Sequence, residues 1–181
     1  QQAYSGPFNL IQAKYTSAVW FKEAQSSQYY ISDVFTGLRG SPHFIVATQR
    51  RLEGEIYMIR ATIDFEAFNA LVENIRIGTT GFAFIINREG ILQTTSRFYG
   101  GVLKPCPLPS LPYTAQAELI ELEDKQGKAL IASYAQIERS PFTLVLLSSR
   151  GSLQAGWVSL RRELLGFLAI SIVLILAVVV G

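Results

Sequence analysis

The run LLGFLAISIVLILAVVVG, residues 164 to 181, holds no charged side chain over eighteen positions. As a helix rising about 1.5 Å per residue it would cover about 27 Å, close to the thickness of a bilayer's hydrocarbon core. Buried helices of globular proteins usually keep a polar face, and this run has none. A transmembrane helix is therefore expected here, and its place at the C-terminal end excludes a secretory signal peptide. Arg161 and Arg162 flank the start of the run. Taken alone, the bias of basic residues towards the cytoplasmic side would put the preceding part of the chain in the cytoplasm. The opening QQAYSGPFNL has neither an initiator Met nor an apolar targeting segment, so a piece of a longer protein is expected.

The chain of 181 residues could bury one ordinary core or two small ones, and its 14 Gly and 7 Pro fall mostly between apolar runs, which points to many short elements. With a net charge of +2 and scattered Lys and Arg, it lacks the basic face that nucleic acid requires. Cys106 is the only cysteine, which rules out an internal disulfide, and it sits in the proline-rich KPCPLPSLP.

Residues 29 to 64 read as a three-stranded antiparallel meander: YYISDVF, HFIVATQ and IYMIRATID, joined by TGLRGSP and RRLEGE. The period then changes. Phe65, Phe68, Leu71, Val72 and Ile75 recur at offsets of three and four, and Gly78 follows as a stop, which predicts an amphipathic helix. Residues 12 to 25 are also compatible with a helix. After Gly78 five segments predict a second antiparallel sheet: FAFIIN, ILQTT, AELIELE, KALIASYAQIE and FTLVLLSS. DKQG is a hairpin turn and NREG a tight turn whose Gly90 supplies positive φ. SLQAGWVSLRRELLG, with Leu153, Trp157, Leu160 and Leu164 at helical spacing, would lead from this sheet into the membrane.

Hydrolysis or group transfer needs a nucleophile beside a base, paired carboxylates or a metal cluster. The chain offers one histidine, His43, at the start of a strand, and neither a phosphate loop nor enough ligands for a zinc site. No catalysis, catalytic residue, metal or cofactor is expected in this segment. The strand IYMIRATID points elsewhere: a period of two puts Met58, Arg60, Thr62 and Asp64 on one face. If that face lines a cavity, Arg60 can fork a carboxylate and Asp64 can receive a cation or hydroxyl. The alternative is a solvated Arg60 and Asp64 pair with Asp64 capping the following helix. Trp20, Phe21, Tyr29 and Tyr30 form an aromatic group suited either to walling a pocket or to filling a core.

The order of these elements resembles the double Cache (dCache) extracytoplasmic sensor region of bacterial membrane receptors, above all of sensor histidine kinases. WFKEA, YYISDVF, HFIVA, IRATIDFEAFNALVENIRIG and GTTGFAFIINREGIL stand in the family's order. The resemblance implies an α+β fold of two PAS-like modules with antiparallel sheets: a membrane-distal module over 1–77, a membrane-proximal one over 78–151, and a juxtamembrane and transmembrane helix over 152–181. It also implies a small organic ligand in the distal module, a homodimer, and placement in the bacterial inner membrane with the globular part periplasmic. That overrides the orientation suggested by Arg161 and Arg162. By the same resemblance, Trp20 and Phe21 match the aromatic pair that walls amino-acid ligands, Tyr30 falls near a pocket tyrosine, and Asp64 matches an aspartate that receives an amino group. The arginine expected two residues before the tryptophan is Ala18. In many members an aspartate opens the turn after the FxFxI strand, where this chain has Asn87.

Overall fold

The computed structural model describes residues 14–37, 40–77, 81–112, 114, 116–124, 126–151, 160–168 and 170–172. A first sheet is built around β3 (Pro42–Leu52). Along one edge β3 pairs with β4 (Glu55–Asp64), from His43 opposite Asp64 to Leu52 opposite Glu55. Along its other edge lie β1 (Tyr29–Ile31) and β2 (Phe35–Thr36), end to end. YYISDVF is thus two short strands instead of one. Between them Ser32 takes over part of the ladder, its N–H donating to the Ile45 carbonyl and its Oγ accepting from the Ile45 N–H.

The first half of β3, from His43 to Ala47, packs on both faces while Arg50–Leu52 are exposed, and this decides where everything else sits. Ile45 and Ala47 are covered by α1 (Val19–Ser26), whose Trp20 and Ala24 lie one turn apart on the helix face turned inwards. Phe44 and Val46 face the opposite way, into a cluster that includes Val72 of α2 (Phe65–Glu73), Ile85 and Phe142. In that cluster the rings of Phe44, Phe68 and Phe142 pack within 4.9 to 5.4 Å of one another. Two of the expected apolar positions of α2 are not in it: Leu71 is 73% exposed, and the helix ends before Ile75, whose N–H bonds back to the Val72 carbonyl.

The second sheet has the order β5 (Arg76–Ile77), β6 (Gly81–Ile86), β9 (Thr143–Ser149), β8 (Ala129–Gln136), β7 (Glu118–Glu123), with every pairing antiparallel. One face of β6 sends Ala83 and Ile85 into the cluster shared with the first sheet. The other sends Phe84 and Ile86 into a core with Leu130, Tyr134, Val145 and Leu147. The segment expected as a strand at 91 to 95 is not one. Its ladder is broken because the Thr94 hydroxyl, not a backbone carbonyl, accepts the Ile85 N–H, while Leu92 pairs on its far side with residues 103 and 104. The turns at Asn87–Gly90 and Asp124–Gly127 form as expected, with Gly90 and Gly127 at φ 74 and 75.

Of the apolar run, residues 164–168 and 170–172 are helical and exposed; the remainder lies outside the described residues, as do Leu153 and Trp157. Among the described residues no helix is long and apolar enough to cross a membrane.

Candidate functional site

On the α1 side of the first sheet lies a cavity of about 570 Å³. β3 and β4 form its floor, the turn leading into α1 one wall, and residues 30–37 the other. Antiparallel pairing explains which side chains meet there. Residues opposite one another share a face, so Arg60 joins Ala47 and Thr62 joins Ile45.

Arg60 is held from two directions. Its guanidinium carbon stands 4.7 Å from the Tyr15 ring centroid and 5.0 Å from that of Trp20, and Nη2 donates to Thr62 Oγ1 at 2.9 Å. Trp20, 9% exposed, is met edge-on by Tyr15 at 5.1 Å and by Phe21 at 5.7 Å. These contacts fix a cation against aromatic faces, yet Arg60 Nε is buried with no hydrogen-bond partner.

Asp33 supplies the opposite charge, from the break between β1 and β2. Its Oδ2 accepts from Asn87 Nδ2 at 3.2 Å, while Oδ1 is buried without a partner. Burial pushes its carboxyl above the usual carboxylate range; the Asn87 bond partly opposes this, and Glu89 nearby adds to it while Arg88 offsets it. Burial, with Asp33 and Glu23 close by, also raises the Tyr30 phenol. His43, 3% exposed, packs against Phe35 with ring centroids 4.7 Å apart. Its Nδ1 lies 2.9 Å from the Ser41 carbonyl, which can only accept, so Nδ1 carries a hydrogen. The ring fits because residue 37 is glycine: a Cβ there would stand 2.7 Å from His43 Cε1.

Of the side chains singled out from sequence, Trp20, Tyr30 and Arg60 line this cavity together, and His43 joins them. Phe21 braces Trp20 from outside the lining. Asp64 shares the face of Arg60, but it sits at the exposed end of β4, opposite His43, and is not part of the lining. It occupies the N-cap position of α2 without the side-chain capping bond expected of it. Asp33 was missed by sequence reasoning. The available signal was the polar Ser-Asp pair interrupting an otherwise strand-like YYISDVF, a local break that such residues favour.

The lining thus combines one carboxylate, one guanidinium, two phenols, an imidazole and the Lys14 ammonium around aromatic walls. It suits binding and orientation of a small molecule. Among the described residues no group of His, Cys, Asp and Glu is placed to hold a metal ion.

No protein-family model and no curated protein matches the chain. Solved structures do. The extracellular domain of mmHK1S-Z3, assigned as a histidine kinase, superposes with a TM-score of 0.60 at 18% identity over 83% of this chain and 60% of that one. The ligand-binding domain of the Pseudomonas aeruginosa PAO1 amino-acid chemoreceptor PctC, solved with GABA, gives 0.58 at 17% identity, over 80% of this chain and 66% of that one. That of the Pseudomonas fluorescens chemoreceptor CtaA, solved with L-serine, gives 0.57 at 15%, over 75% and 61%. The chain spans about three-fifths to two-thirds of the length of these domains, and identities this low establish a common fold. At that level they bear out the resemblance read from the sequence.

Proposed function

We propose that this chain, which has the fold of the Cache-type extracellular ligand-binding domains of histidine kinases and chemoreceptors, is a small-molecule sensing region. Its ligand carries both a cationic and an anionic group. One observation supports this above the others: Asp33 Oδ1 and Arg60 Nε are buried without partners, and both residues line one cavity of about 570 Å³. A buried polar atom left unpaired costs about 1–3 kcal/mol, more if charged, so a ligand that pairs both recovers that energy as affinity. Trp20 and Tyr30 wall the ligand, Arg60 takes its carboxylate and Asp33 its ammonium. Ala18 also lines the cavity, so its methyl stands where the family pattern has an arginine, and Arg60 brings the positive charge from the floor instead. Phe21 supports Trp20. Asp64, at the end of β4 where α2 begins, acts on longer ligands or on the start of α2.

In this reading residues 1–77 form the membrane-distal module, 78–151 the proximal one and 152–181 the helix that enters the bacterial inner membrane, with the globular part periplasmic and the receptor a homodimer. Ligand binding biases one of two conformations and so changes the autophosphorylation of a histidine kinase; a ligand with equal affinity for both would change nothing. The same sensor on a chemoreceptor or cyclic-dinucleotide enzyme is the second reading, favoured by the likeness to PctC and CtaA. A ligand-free structural ectodomain is the third.

Calorimetric titration with γ-aminobutyrate, L-serine and L-alanine, together with a wider set of amines and organic acids, tests the binding reading. Saturable heat with an affinity that falls in Arg60→Ala is the expected result. An absence of heat and of any thermal shift across the set would leave the structural ectodomain.

A further inference from the structure

Within the stretch Ser32–Val34, Ser32 is tied to Ile45 of the first sheet, whereas Asp33 and Val34 are held by two side chains that follow β6, Asn87 and Gln93. Asn87, 7% exposed, opens the turn after β6. Its Oδ1 accepts the Ile91 N–H at 2.8 Å, which fixes the amide's orientation and turns Nδ2 towards Asp33. Gln93, 1% exposed, accepts the Val34 N–H on Oε1 at 2.6 Å and donates from Nε2 to the Ile91 carbonyl at 3.1 Å. Both amides therefore converge on Ile91 on one side and on Asp33 and Val34 on the other.

This rests on the ligand-binding reading above and deepens it: we propose that Asn87 and Gln93 are positioning residues for the cavity, holding residues 32–34 so that Asp33 offers one oxygen to the ligand and one to the second sheet, and so that a change of charge at Asp33 is felt at the Asn87–Gly90 turn. Three features carry the inference. Asp33 and Tyr30 line both the ligand cavity and a second one of about 500 Å³ whose far wall includes Arg88 and Glu89 of that same turn, so the carboxylate stands between the two regions. Val34, next in the chain, is 3% exposed within the cluster that joins the sheets, so the backbone on that side of Asp33 cannot shift without disturbing Ile85 and Phe142. Residue 87 is an amide and not an acid. A carboxylate there could still accept the Ile91 N–H but would face Asp33 without a hydrogen to give.

The groups facing Asp33 are Tyr30 on β1, Arg88 and Glu89 on the turn, and Lys14, His43 and Arg60 across the cavity; Arg139 lines the second cavity. The full 181-residue chain is titrated by NMR, following the Asp33 carboxyl carbon and the Asn87 side-chain amide without added ligand. The two are expected to titrate with one midpoint; an Asn87 amide that ignores the Asp33 transition overturns the proposal. In Asn87→Asp the acceptor for Ile91 is kept and the donor to Asp33 is lost, so the Asp33 midpoint is expected to move upwards while the turn remains formed. Because the new carboxylate raises that midpoint by its charge alone, Asn87→Ala, which removes the donor without adding a charge, is the control: an upward shift is expected there too, and a midpoint left where it was overturns the proposal. Loss of Val34 N–H exchange protection in Gln93→Ala, restored in Gln93→Glu, is expected; protection unchanged in both removes Gln93 from the proposal. Adding γ-aminobutyrate afterwards to Trp157→Phe, in which Trp20 is the one tryptophan left to emit, tests the binding reading separately, because the titrations above use no ligand.

Discussion

The two sheets are built from similar strands, yet they treat polar atoms in opposite ways. Around β6 the buried polar side chains are paired: Gln93 with Val34 and Ile91, Thr94 with Ile85, Asn87 with Ile91 and Asp33. In the first sheet two buried atoms, Asp33 Oδ1 and Arg60 Nε, are left over beside a cavity. A folded domain keeps such atoms unpaired at a cost, so their concentration in one place marks that place as built for something other than stability. In the reading proposed above, the second sheet is the scaffold and the first carries the site.

If that division is right, truncations should separate stability from binding. Phe84 is fully buried in the second core, and Phe84→Ala should cost about 3–5 kcal/mol of unfolding free energy in a urea titration. Trp20→Ala should cost less, because part of the indole borders empty space, but it should remove ligand binding altogether. Equal losses of stability from the two substitutions would mean that the cavity wall is an ordinary core.

Next in size are the two charged groups. Asp33→Ala and Arg60→Ala should each weaken a zwitterion such as γ-aminobutyrate by about 1.5–3 kcal/mol. Each should also lower the melting temperature modestly, because Arg60→Ala gives up the Thr62 hydrogen bond and the contacts with Tyr15 and Trp20, and Asp33→Ala leaves Asn87 Nδ2 without its acceptor. Unchanged calorimetric affinity in both variants would sink the assignment of the site.

Much of the first sheet was legible because its signals are local. Alternation in IYMIRATID put Met58, Arg60 and Thr62 on one face, and the Arg60–Thr62 hydrogen bond follows from that parity. Asp33 was not legible because what holds it comes from far away. Its partner Asn87 is 54 positions distant, and Gln93, which holds the Val34 N–H, is 59 from Val34. The same cause hid the irregular course of residues 91–95, where a Thr94 hydroxyl replaces a ladder bond. Arg76–Ile77, a two-residue strand, is too short for any period to register.

A smaller effect concerns pH, with opposite signs for stability and binding. The Asp33 carboxyl lies above its unfolded value of 3.8, so the folded protein holds that proton more tightly than the unfolded chain does. Its contribution to stability is full below the unfolded value and is lost as pH rises through the folded one. Affinity for a cationic group runs the other way, falling as pH drops through the folded value. Asp33→Asn should flatten both profiles. A wild-type melting temperature that climbs with pH across that interval, relative to Asp33→Asn, would contradict the assignment.

The smallest change lies at the far end of the first sheet. β3 and β4 are joined by Glu53 and Gly54, both with positive φ, 52 and 87, in the manner of a type I′ turn. Glycine adopts this conformation freely; glutamate does so against the contact between its Cβ and the following carbonyl, and asparagine tolerates it better. Glu53→Asn should therefore raise the urea midpoint by an amount worth under about 1 kcal/mol, with an unchanged slope. Because the turn is at the opposite end of β4 from Thr62 and Asp64, affinity for γ-aminobutyrate should stay the same. If relieving strain at Glu53 altered that affinity, the first sheet would respond as one body, and the cavity could not be treated as a site set apart from the stability of the strands that carry it.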